Sequence, residues 1–193
     1  MKAALALALL LPCLAPAAAP DSSATQTWTI EPAQSQAQFD VRKFWIVHVR
    51  GTFTRLQGSL RRLDTPFGID LAEVRAYIDV TNLVTDSPGH TARVLAPEFF
   101  NAARYRHILF DSDPFPLGEL VAGGPLRGTL LLHGMARNVA FALQPSECPR
   151  QPLDCGIRVQ GTISRSAFGM HAWRGLVGDE VKLKLRIVVR PLN

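Results

Sequence analysis

Side chains able to do covalent or acid–base chemistry are few in this 193-residue chain, and they are scattered. His48, His90, His107, His133 and His171 nowhere fall at H-x-x-x-H or H-E-x-x-H spacing, which would set two imidazoles on one helical face as zinc ligands. Ser112, Ser164 and Ser166 sit in or beside alternating segments, without the G-x-S-x-G elbow that presents a hydroxyl to a base. Cys148 and Cys155 flank a turn-rich stretch, SECPRQPLDCG, with no neighbouring His to complete a metal site, so they read as a disulfide. Closing so short a loop contributes only about 2.5 kcal/mol, enough to pin a connection between two strands. The expectation is therefore no catalytic residue, no metal and no enzyme activity.

Chemistry being thin, the elements matter more. Lys2, the apolar run over 3–11 and the small residues Ala17, Ala18 and Ala19 have the anatomy of a secretory leader, with cleavage expected after Ala19. The run is too short for a stable membrane anchor. Pro12 before Cys13 fits a lipidation signal poorly, since a small residue is expected there. Residues 20–193 then form one domain, with no linker or internal repeat to suggest a second. The formal net charge is +5, and the basic residues are dispersed rather than run together with exposed aromatics. That argues against nucleic acid and allows transient contact with an anionic membrane surface.

Alternation dominates the remainder. Residues 34–42 place Ala37, Phe39 and Val41 on one face; 73–81 place Val74, Ala76, Ile78 and Val80. Residues 157–164 align Ile157, Val159, Gly161 and Ile163, and the last run aligns Val181, Leu183, Leu185, Ile187 and Val189 against Lys182, Lys184, Arg186 and Arg190. Noisier strands are expected at 26–30, 52–63 (with a bulge between Phe53 and Leu56), 107–112, 125–133 and 138–143. These add Phe53, Phe110, Leu132 and Phe141 to the inward set. Two stretches read as helical: 43–49, and 90–104 with Pro97 opening a second turn. The fold class is all-β: an antiparallel eight-stranded, at most nine-stranded, up-and-down β-barrel with one or two short helices, since closure removes exposed strand edges.

Three local sequences resemble the YceI-like family: LAPEFFNAARYRHILFDS at 95–112, TISRSAFGM at 162–170 with its I-x-R-x-x-F-G-M pattern, and VGDEVKLKLRIVV at 177–189. The W-x-I at Trp28–Ile30 and VRGTF at 49–53 are weaker echoes, so the resemblance spans nearly the whole mature chain. It implies a lipocalin-like barrel, periplasmic location, and an apolar lipid partner such as a polyisoprenoid or isoprenoid-quinone in the lumen, with no other cofactor. Many members carry R-D-x-H-L before the paired Phe; the matching positions here are His90-Thr91-Ala92-Arg93-Val94, so no polar ligand contact is carried over to them.

A lumen site would be lined by the inward residues Phe39, Val41, Phe53, Ala76 and Ile78, by Phe110, Leu132, Phe141 and Ile163, by Leu95, Phe99 and Phe100 of the helical segment, and by Phe168, Met170 and Trp173. Small inward residues (Ala37, Ala76, Gly128, Gly161) are expected to leave room for a guest. The competing reading is a barrel filled by its own side chains, serving as a periplasmic interaction module for a membrane redox partner through the basic face of Lys182, Lys184, Arg186 and Arg190. Head group, chain length, carrier or sensor role, and oligomeric state (a dimer included) are left open by the residues.

Overall fold

The computed structural model describes residues 26–65 and 68–192; the leader, Cys13 and the cleavage site after Ala19 lie outside the described residues. Thirteen strands make one antiparallel sheet. They are β1 (Thr27–Ile30), β2 (Gln36–Lys43), β3 (Val47–Phe53), β4 (Leu56–Leu63), β5 (Leu71–Asp79), β6 (Leu83–Thr85) and β7 (His107–Ser112), then β8 (Phe115–Pro116), β9 (Gly124–Leu132), β10 (Met135–Leu143), β11 (Ile157–Ser164), β12 (Val177–Ile187) and β13 (Val189–Pro191). The described residues also contain two α-helices, α1 (Pro88–Leu95) and α2 (Glu119–Ala122).

The thirteen are pieces of eight long staves. β1 pairs with β4 and β13, while β2 pairs with β3 and β12. β3 pairs with β6 as β4 does with β5. Hence β1–β2, β3–β4, β5–β6, β7–β8 and β12–β13 are each one strand interrupted once. Pairing then runs from β5 through β7, β9, β10 and β11 to β12, whose continuation β13 returns to β1. The result is an up-and-down barrel in chain order, and closure satisfies the strand edges that an open sheet would leave bare.

Four of the interruptions fall at one level, at Glu31–Ser35, Thr54–Arg55, Val80–Asn82 and Val188. Lost ladder bonds are replaced there. The Glu31 amide donates to the Val188 carbonyl at 2.8 Å, and the Val188 amide donates to the Ser35 hydroxyl at 2.9 Å. Thr54 donates its amide to the Asn82 carbonyl at 3.4 Å. Four adjacent staves are thus interrupted together, at a crease where these bonds replace part of the ladder.

Two expected helices come out differently. Residues 43–49 are the β2–β3 hairpin, with Lys43 opposite Val47 and with Phe44 and Trp45 at φ of 51° and 66°. A short apolar run fits either period. Pairing with β2 decides it, because Arg50 and His48 then meet Asp40 on the outer face, at 2.9 and 2.6 Å. Helix α1 starts earlier than expected: Ser87 caps it by accepting from the His90 amide at 3.2 Å, and Pro88 takes the first turn. It stops at Ala96, which is extended as a residue before proline should be. Residues 97–100 and 102–104 form turns rather than a continued helix, with Asn101 at φ 47°. The two-residue β8 and the four-residue α2 are too short to show a period in the sequence. Cys148 and Cys155 are bonded, their Cα atoms 5.9 Å apart, in the loop joining β10 to β11.

Candidate ligand-binding site

Side chains do not fill the barrel. A cavity of about 420 Å³ runs through it, a size within the range of about 300–1000 Å³ usual for small-molecule sites. At one end Ile30, Leu56, Leu60, Phe115 and Leu143 line it, all buried, together with buried Leu120 of α2. Midway, Phe39, Phe53 and Phe100 form an aromatic cluster, Phe53 and Phe100 meeting edge-on at 5.7 Å. Phe110 and Phe141 pack at 5.4 Å across from it. Strand β12 contributes Val181, Leu183 and Leu185, which stay only half-buried because they face open space rather than packed neighbours.

The titratable lining groups gather at the other end: Lys43 from the tip of β2, His90 and Arg93 from α1, and Arg165. Trp173 brings two of them together. Its ring lies 5.8 Å from the Lys43 ammonium, 5.3 Å from the Arg93 guanidinium and 6.3 Å from the Phe99 ring. Arg165 is buried and donates to the carbonyls of Gly178 at 2.9 Å, Met170 at 2.7 Å and Val177 at 3.0 Å. Burial pushes its guanidinium below the ordinary arginine range, and the nearby Asp179 carboxylate opposes that push. Burial also raises the Asp179 carboxyl, but hydrogen bonds from Ser164 and Ser166 and the Arg165 charge outweigh it, leaving the group below the usual carboxylate range. Arg165 thereby ties the segment carrying Met170 and Trp173 to the start of β12. This gives the I-x-R-x-x-F-G-M pattern its physical content: the Arg clamps three carbonyls, and Gly169 at φ 76° turns the chain.

Of the expected lumen residues, Phe39, Val41, Phe53, Ala76 and Ile78 line the cavity, as do Phe110, Leu132, Phe141 and Ile163. Phe99, Phe100, Met170 and Trp173 line it too. Two do not. Leu95 packs half-buried against the core, because α1 turns Gly89, His90, Arg93 and Val94 to the lumen and Leu95 lies off that stripe. Phe168 is fully buried wall packing: the turn at Gly169 presents Met170 to the lumen instead. The expectation that small residues leave room also divides. Ala37 and Ala76 border the cavity, but a Cβ at Gly161 would lie 2.2 Å from the Phe141 ring and one at Gly128 would lie 2.3 Å from the Asp111 carbonyl. Those glycines permit close packing, not a guest.

The histidines do not converge. His48 and His90 pair with Asp40 and Asp86, His107 stacks on Tyr77, His133 meets the Phe168 carbonyl, and His171 meets Arg174. Among the described residues no three His, Cys, Asp or Glu side chains come together as a metal site. No helix of the described residues is long and apolar enough to cross a membrane. Sequence reasoning left out Lys43 and Arg165; the Arg of the 162–170 motif was the available signal.

No curated protein matches the chain. Among solved structures, BcnA of Burkholderia cenocepacia superposes with a TM-score of 0.62 at 22% identity, covering 83% of this chain and 99% of its own. A polyisoprenoid-binding domain from Saccharophagus degradans, implicated in plant cell wall breakdown, gives 0.63 at 18% identity, covering 86% and 98%. A Campylobacter jejuni YceI protein gives 0.57 at 17% identity, covering 77% and 87%. At these identities the likeness shows the fold. The family model of the YceI-like domain matches residues 28–189, nearly all of the described barrel, and the chain belongs to the YceI-like family.

Proposed function

We propose that this is an exported, non-enzymatic binding protein that holds a long apolar chain, a polyisoprenoid or the tail of an isoprenoid quinone, inside the barrel. The observation that carries the reading is the cavity of about 420 Å³: apolar along most of its lining, buried Leu120 of α2 included, with Lys43, His90, Arg93 and Arg165 as its titratable lining groups. Such a site accepts a hydrocarbon tail first and keeps any polar head beside Lys43, His90 and Arg93. Each buried methylene contributes roughly 0.8 kcal/mol before ordering costs, so several isoprene units bind without a polar specificity contact. The Saccharophagus degradans neighbour is itself described as polyisoprenoid-binding, which supports the same ligand class here. Export rests on the leader over residues 1–19 and accords with the Cys148–Cys155 bond.

The test is solvent extraction of the purified protein followed by mass spectrometry, then titration with prenyl chains of graded length. A bound prenyl lipid is expected, with affinity rising with length, levelling once the cavity is full, and depending little on salt. A folded protein that purifies empty and takes up no long-chain lipid of any length would overturn the proposal.

A further inference from the structure

The β2–β3 hairpin ends in an apolar tip that the barrel does not use. Trp45 and Ile46 are 80% and 82% exposed, and Phe44 and Val47 are 46% and 48% exposed. Hairpin turns that need left-handed backbone normally recruit Asn or Gly. Here Phe44 and Trp45 occupy it instead, at φ of 51° and 66°. Neither the turn nor the core calls for these side chains. A second loop adds to the patch: the Phe44 amide donates to the Leu176 carbonyl at 2.7 Å, and Leu176 and Trp173 are 46% and 40% exposed.

The surround is basic. Arg42, Lys43, Arg93 and Arg174 lie on or beside these segments, and among the described residues none of the four is in a salt bridge. Arg42, Arg174 and Trp45 border one shallow groove, in which the nearby carboxylate, Asp179, is already held by Ser164 and Ser166. The Lys43 ammonium sits 5.1 Å from the Phe44 ring. Indole and aliphatic tips ringed by Lys and Arg match the boundary between anionic head groups and acyl chains.

We propose that this tip is a membrane-docking element: Trp45 and Ile46 enter the interface of an anionic bilayer, while Arg42, Lys43 and Arg174 meet the lipid phosphates. Lys43 and Trp173 also line the cavity mouth, so the docked protein sets that mouth against the lipid. A hydrocarbon chain then passes between bilayer and barrel with little exposure to water. This last role rests on the proposed lipid-binding function; docking itself does not. A second copy of the chain fits the tip poorly. An isologous contact would face the basic ring with its own charge, and half a dozen side chains fall well short of the roughly 20–30 residues a side of a stable interface.

The experiment is co-sedimentation of the purified protein with vesicles of phosphatidylethanolamine and phosphatidylglycerol, and with vesicles of phosphatidylcholine. Lipids brominated on the acyl chain serve as tryptophan quenchers. Anionic vesicles should bind the protein, added salt should weaken binding, and quenching should occur, Trp28 being too buried to report it. Trp45→Ser with Ile46→Ser should lower the partition coefficient about tenfold or more. Lys43→Glu with Arg174→Glu should abolish the preference for anionic vesicles. Val84→Ser, 55% exposed on β6 away from the tip, should change nothing. Wild-type protein that ignores both vesicles overturns the inference without recourse to any variant. So does binding that the Trp45 and Ile46 changes leave intact, or a dimer that those changes dissolve while vesicle binding never appears. A protein that yields prenyl lipid on extraction but ignores vesicles would retain the proposed function and lose the docking tip; one that docks but purifies and stays empty would do the reverse.

Discussion

Phe141 on β10 lies across Gly161 on β11 so closely that a Cβ on the glycine would fall 2.2 Å from the ring's Cδ1. The space that a missing side chain leaves is therefore already taken by a neighbour. Gly161→Leu should destabilise the barrel by about 1–3 kcal/mol through overpacking. Ala76→Leu, on the cavity wall, should instead shorten the longest prenyl chain accepted. Denaturant melts paired with a chain-length series separate the two outcomes; a shortened chain with an unchanged melt at Gly161 would refute the packing argument.

Ser35 stands in for a missing strand pair at the crease, accepting from the Val188 amide at 2.9 Å while buried. Ser35→Ala should cost about 1–3 kcal/mol, because it leaves a backbone donor without its partner. Thr54→Ala, an exposed hydroxyl at the same level, should stay within about 0.5 kcal/mol. Equal effects in urea melts would contradict the role given to Ser35.

Arg165→Met should loosen the segment from Met170 to Gly178, since three carbonyls lose one donor. Each hydrogen bond from a charged donor contributes about 1.5–3 kcal/mol when buried. Arg165→Lys should recover only part of this, because an ammonium lacks the planar fork. Native-state hydrogen exchange reads the result: protection should fall at Leu176 and Val177, whose amides bond to the Trp173 carbonyl, and hold along β9 and β10.

Alkylation without reductant should label neither Cys148 nor Cys155. Replacing both with Ser should cost no more than about 2.5 kcal/mol and leave lipid capacity unchanged, because the loop they close lies outside the cavity. Stoichiometric labelling of the native protein would contradict the bond.

Inward and outward residues of the paired strands β2 and β12 should behave oppositely. Phe39→Asn places an amide in the buried aromatic cluster and should cost several kcal/mol, whereas Lys184→Ser on the exposed face of β12 should cost under about 0.5 kcal/mol. Similar melts for the two would invert the inside–outside assignment.

What the amino-acid sequence determined by itself is the part governed by a period of two. Phe39, Ala76, Ile78, Ile163 and Leu185 were assigned to the inner face because alternation fixes which side of a pleated strand a residue takes. The bonding of Cys148 to Cys155 was legible too, from the shortness of the loop and the lack of other ligands. Tertiary structure alone decided the rest. Phe44 to Val47 form a hairpin tip because Val49, Gly51 and Phe53 register against Val41, Phe39 and Ala37, and no window of seven residues contains that partner. Whether a small residue leaves room depended on the opposite stave, which fills Gly161 with Phe141 and leaves Ala76 open. The charged end of the cavity was equally hidden. Lys43, Arg93 and Trp173 lie far apart in the chain and meet at one indole only because the barrel closes on itself, bringing the tip of β2, helix α1 and the loop before β12 together.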